Sequence, residues 1–247
     1  MKSLNFIVLF ILSLVICNFE GLSQEGVNPF SYGLHIGPTF SGFTHYREVF
    51  TQKKSGVSLG IFAEYSLTPL IGVSLETNYL MQGATNVSPY LIYPESSISY
   101  ANGSITKVSS DITLHSFQVP VMINIRPIIE GNIIPKISLG YTFDYIIKAW
   151  SKDMIFLSGP TYVPLSDRSF EDVTSSFEKW NCGPVFCTAI EFKTSKLNYS
   201  IEARYQLGLR DINGLAGLNM LNHQFDFSVN TFTIYFVISM KKVSITQ

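Results

Sequence analysis

Cysteine is scarce, charge is scarce, and beyond the first two dozen residues no long apolar run occurs. The 247-residue chain carries three cysteines, Cys17, Cys182 and Cys187. On one extended strand Cys182 and Cys187 would stand about 16 Å apart at roughly 3.3 Å per residue, while a disulfide needs Cα atoms within ~7 Å. A small secreted domain stapled by disulfides is therefore excluded. Only 14% of residues are charged and the net charge is −1, against about 25% charged in ordinary soluble domains. No basic patch suggests a nucleic-acid partner. After residue 23 nothing approaches the ~20 apolar residues of a membrane helix: "IIPKISLGYTFDYIIKAW" (133–150) is interrupted by Lys136, Asp144 and Lys148. Metal-ligand spacings, a Gly-rich phosphate loop and a Gly-x-Ser-x-Gly elbow are also lacking. Of the four histidines, His35 takes a strand position and His45, His115 and His223 fall in or beside loops. No catalytic, cofactor-binding or metal-binding residue is expected.

What is present begins with export. Met1-Lys2 precedes the uncharged run "LNFIVLFILSLVI" (4–16), and Gly21-Leu22-Ser23 supplies small residues for cleavage. Residues 1–23 read as a secretory signal peptide and 24–247 as one domain. A lipoprotein signal at Cys17 fits less well, because Ile16 directly precedes it. The chain is also 46% hydrophobic and 14% aromatic. An exported, apolar, aromatic-rich chain without a membrane helix fits a transmembrane β-barrel.

The pattern supports that class. In "IGVSLETNYLMQ" (71–82) Ile71, Val73, Leu75, Thr77, Tyr79 and Met81 alternate with Gly72, Ser74, Glu76, Asn78, Leu80 and Gln82, the period of a strand with one apolar face. Similar alternation marks eight segments: 32–42, 56–67, 71–82, 114–126, 133–149, 181–193, 197–209 and 229–241. Short connections (68–70, 127–132, 194–196) alternate with long ones (43–55, 83–113, 150–180, 210–228). That rhythm suits an eight-stranded antiparallel up-and-down barrel with short periplasmic turns and long extracellular loops. By parity Glu64, Glu76, Arg126, Lys136, Asp144, Lys148, Glu191, Glu202 and Arg204 share the polar face. An eight-stranded barrel is just wide enough for side chains to fill, so these nine are expected to form a structural charge network in the lumen. The apolar face then meets outer-membrane lipid. Tyr32, Tyr65, Tyr79, Tyr141, Tyr145 and Tyr205 lie on that face, as girdle residues do.

With the strands placed, four stretches resemble the PorT-like outer-membrane β-barrel family of Bacteroidota. "YGLHIGPTFSG" (32–42) is similar to its Gly-punctuated first strand. "FQVPVMINIRP" (117–127) carries its aliphatic-Pro-aliphatic pattern at Val119-Pro120-Val121. "KISLGYTFDYII" (136–147) resembles its glycine-bearing fifth strand, and "EARYQLGLRDI" (202–212) its Arg-Tyr…Gly-Leu seventh. The chain departs from many such barrels at its end, "FVISMKKVSITQ" (236–247), which lacks a terminal aromatic. The resemblance implies a cell-outer-membrane location and, for the founding type, a part in type IX secretion and the maturation of secreted proteins.

Three functions compete. An enzyme acting on lipid would use Ser and His near the outer rim, but no nucleophile motif supports one. Wide pores need about 16 strands, which leaves only a narrow ion-conducting channel. A non-enzymatic, membrane-anchored binding or assembly component requires nothing that the sequence lacks. Its protein partners would meet the long loops or the periplasmic turns, and its oligomeric state is not specified by the sequence.

Overall fold

The computed structural model describes residues 29–45, 49–89, 99–100, 103–128, 131–157, 170–194, 197–212 and 227–241. The predicted signal peptide lies outside them. Ten strands follow in chain order: β1 (Phe30–His45), β2 (Val49–Ser66), β3 (Ile71–Pro89), β4 (Ser99–Tyr100), β5 (Gly103–Ile125), β6 (Ile133–Leu157), β7 (Phe170–Asp172), β8 (Trp180–Lys193), β9 (Leu197–Gln206) and β10 (Phe227–Lys241). Eight form an antiparallel ring in the order β5-β3-β2-β1-β10-β9-β8-β6, closed by pairing of β5 with β6. The two-residue β4 pairs with β5, and β7 pairs with Trp150–Lys152 of β6.

Closure carries a fixed stagger. The row of paired residues that leaves β8 at Trp180 passes Tyr145, Phe117, Tyr79, Leu59, Ile36, Phe236 and Ile201. It returns to β8 at Ile190, ten residues from its start. Such a shift tilts the strands by roughly 35–45° to the barrel axis and fixes the bore.

Alternation places side chains as expected over most of the ring. Leu34, Ile61, Leu75, Ile123, Leu139, Ile201 and Phe236 are exposed on the outer surface, while Glu64, Glu76, Gln118, Asp144, Glu202 and Arg204 are buried inside. A soluble sandwich would invert this arrangement. The outer tyrosines Tyr32, Tyr79, Tyr141 and Tyr205 are exposed on the apolar surface. Tyr79, Phe117, Tyr145 and Trp180 are successive register partners across β3, β5, β6 and β8. They make an aromatic arc toward the loop end of the barrel.

The strands outrun the predicted segments at that end. β3 extends to Pro89, β5 starts at Gly103 and β6 runs 25 residues to Leu157. Much of the chain expected to be loop (83–113, 150–180) is therefore paired β-structure. The Ser- and Thr-rich stretch 109–113 lacks strong apolar alternation, but pairing with β6 satisfies its backbone.

Candidate functional site

The chemistry-bearing side chains converge inside the ring, layer upon layer. Near the turn end, the Arg126 guanidinium donates from Nη1 to Glu64 Oε1 (2.6 Å) and from Nε and Nη2 to the two carboxylate oxygens of Glu191 (2.9 Å each). Lys136 Nζ donates to Glu202 Oε1 (2.6 Å) and lies 3.5 Å from Glu191 Oε1. Arg204 grips Glu76 with two donors (2.6 and 3.0 Å) and reaches Glu202 Oε2 at 3.3 Å. Its guanidinium also lies 4.8 Å from the centre of the Tyr235 ring, whose hydroxyl meets Ser58 Oγ at 2.7 Å. Three cations and four glutamates thus form one continuous array. Buried charges of this kind persist only when paired and hydrogen-bonded.

The next layer is neutral apart from one carboxylate. His35 Nε2 and Asn78 Oδ1 lie 2.8 Å apart, and Asn78 Nδ2 donates to Gln118 Oε1 (3.1 Å). Gln118 Nε2 donates to Gln206 Oε1, and Gln206 Nε2 to Asp144 Oδ2, both at 2.6 Å. Asp144 is completely buried. It accepts further bonds from Thr142 Oγ1 (3.0 Å) and Asn181 Nδ2 (3.2 Å), and no cation pairs with it among the described residues. The array needs Gly60: a Cβ there would collide with Asn78 Oδ1 and stand 2.5 Å from His35 Nε2. Phe62, inward by parity although apolar, has its use here, stacked on His35 with ring centres 6.0 Å apart.

Above these layers the lumen turns apolar. Phe43, Val87, Ile112, Leu114, Ile146 and Val229 from five strands pack with Phe177 and Ile212, which enter from the connecting segments. The backbone holds those segments in place: Val173 N–H donates to Ala149 O (3.0 Å) and Glu178 N–H to Ile212 O (3.1 Å). At the turn Thr174–Ser176, Asp172 accepts from the Thr174 N–H (3.0 Å) and hydroxyl (2.5 Å). These bonds hold the exposed Asp172 carboxyl below its usual range.

Eight of the nine expected network residues line the lumen, seven of them ion-paired and Asp144 held by neutral donors. Lys148 does not join them. The β5–β6 register slips between His115, opposite Lys148, and Ser116, opposite Ile146. The extra residue on β6 reverses the parity. Lys148 is therefore turned outward and 45% exposed, 3.8 Å from Asp172 and 4.1 Å from the Trp150 ring centre. Strict period-two counting missed this bulge. It also missed the amide chain, since lone Asn and Gln residues carry no motif. The apolar plug was signalled by apolar residues on the inward parity of the loop-side half, at Leu114, Ile146 and Val229 inside the predicted segments and at Phe43 and Ile112 just beyond them.

With the ring and its filling in place, the class is clear: the chain belongs to the outer membrane protein beta-barrel domain family, whose model matches residues 21–214. The protein is an outer-membrane β-barrel. Solved structures with similar folds include Neisserial surface protein A (12% identity, 88% of this chain and 100% of that one, TM-score 0.47). OprG from Pseudomonas aeruginosa matches at 12% identity over 89% of this chain and 100% of its own, TM-score 0.47. The outer membrane protease OmpT from Escherichia coli matches at 9% identity over 90% and 100%, TM-score 0.41. No curated protein matches the sequence.

Proposed function

We propose that this barrel is a non-enzymatic, membrane-anchored binding or assembly component whose working surfaces lie outside its lumen. One observation carries the reading: inward side chains fill the bore from the Arg126–Glu64 pair at the turn end to the Phe177–Ile212 cluster at the loop end. Such a bore has little room for substrate or solute, which favours contact surfaces over transport or catalysis. The strands of β3, β5 and β6 that extend toward the loops offer a rigid platform for a partner, and rigid strands position contacts better than free loops do. The four PorT-like stretches narrow the role further, to a part in type IX secretion.

The test is deletion of the gene in its host, followed by mass spectrometry of the medium and periplasm. Loss of secreted cargo with precursors held in the periplasm is expected. Restoration should follow from the intact barrel but not from one in which residues 90–98 and 158–169 are replaced by short Gly-Ser linkers. An unchanged secretome in the deletion strain would remove the secretion role.

A further inference from the structure

The outer surface of the ring is not uniformly convex. Two adjacent rows of outward residues cross β10, β1, β2 and β3: Met240–Tyr32–Ala63–Leu75 and Ile238–Leu34–Ile61–Thr77. Ala63 is small where its neighbours are large, and Thr77 is short where a Leu or Ile would close the row. Beside them, Gly33 presents bare backbone at the seam between β1 and β10. Its Cβ position faces the lumen, where an added carbon would collide with Ile238 O and the Phe62 ring. The result is a groove of about 600 Å³ floored by Ala63 and Gly33 and walled by Tyr32, Leu34, Leu75 and Ile238.

We propose that this groove seats one acyl chain of a phospholipid in the periplasmic leaflet. Depth, size and chemistry each support this occupant. Tyr32 lies two residues from the start of β1 at the turn end, the periplasmic end in barrels of this class. The groove runs from there toward the middle of the apolar band. Tyr32 takes the place of a girdle tyrosine, whose hydroxyl suits the headgroup level, and Thr77 lies at the other end of the lining. Sites for small ligands occupy about 300–1,000 Å³, which brackets this groove. Ten residues line it, whereas a stable protein interface engages about 20–30 residues on each side. The concavity is therefore too small to specify a second copy of the barrel and suits a flexible hydrocarbon. A chain seated between fixed walls makes more contacts than one against the convex remainder of the ring, and contacts of this kind sum to a preference.

The experiment uses the full barrel in vesicles of phosphatidylethanolamine doped with an analogue bearing a photoreactive diazirine midway along one acyl chain. Cross-linked positions are mapped by mass spectrometry. The expected result is labelling at Leu34, Ile61 and Leu75 about tenfold above that at Leu139 and Phe186 on the opposite outer surface, equal to about 1.4 kcal/mol of preference. Ala63→Phe should fill the groove and reduce its labelling to the level of that opposite surface. Ala203→Phe, an outward change on β9, should leave the groove labelling unchanged. Both changes face lipid, and folding is checked for each by heat-dependent gel migration. Even labelling around the ring, labelling indifferent to Ala63→Phe, or a groove labelled less than the opposite surface, as a second barrel seated there would leave it, would each overturn the proposal.

Discussion

Arg204 is the main partner of Glu76 and shares Glu202 with Lys136. It grips Glu76 through both terminal nitrogens and touches Glu202, all within the lumen. Arg204→Leu strands the charge of Glu76, and loss of one partner from a buried pair costs about 3–5 kcal/mol. The urea midpoint of the folded barrel should fall accordingly. Glu76→Leu combined with Arg204→Leu should recover much of that loss, since an apolar pair replaces a paired charge at little net cost. A double mutant no better than Arg204→Leu alone would locate the stabilisation elsewhere. Two lysines on β6, Lys136 and Lys148, make a sharper contrast. Lys136→Leu should destabilise by several kcal/mol because it leaves both Glu202 and Glu191 under-compensated. Lys148→Leu should change the same midpoint by no more than about 1 kcal/mol, since its pair with Asp172 is exposed to solvent.

At the scale of the element, the seam and the plug are the vulnerable places. β1 and β10 are the first and last strands of the ring, and their pairing skips Gly37 and Pro38. Proline has no N–H to contribute. A Cβ at Gly37 would run into Ile234 O on β10, so Gly37→Val should push the closing strands apart and lower the folded fraction seen by heat-dependent gel migration. Phe177→Ala should act differently. Removing a buried phenyl group costs about 3–5 kcal/mol, but here the loss falls on the loop-end cluster. Hydrogen exchange should accelerate at residues 173–178 while the amides of Ile201–Gln206 remain protected. These elements also mark where reading the sequence succeeds and fails. The alternation of Ile71–Gln82 was enough to place the first twelve residues of β3 and both of their faces, because lipid outside and charge inside leave no other register. The same counting failed at Lys148, where one unpaired residue on β6 inverts every later side chain. Phe177 and Ile212 were illegible for another reason: they fill the bore from irregular segments, where no period connects position to direction.

For the whole molecule, a bore filled by paired charges, amides and an apolar cluster predicts electrical silence. Purified barrel in a planar bilayer should show no steady single-channel steps, and Phe177→Ala alone should not produce them, because the Arg126–Glu191 and Arg204–Glu76 pairs still cross the lumen. Well-defined conductance steps in the unmodified protein would require these side chains to part. The length of β6 has a consequence of another kind. Its 25 residues make roughly 80 Å of strand at about 3.3 Å per residue, or about 60 Å of height at a tilt near 40°. The apolar band of such a barrel is only about 25 Å tall. More than half of the β5–β6 ladder therefore stands clear of the bilayer as a stiff mast, ending at the paired Ile105 and Leu157. An antibody or a phage tail too bulky to reach the lipid would still meet its tip, so variation under immune or phage pressure should accumulate there and leave the rows beneath it unchanged.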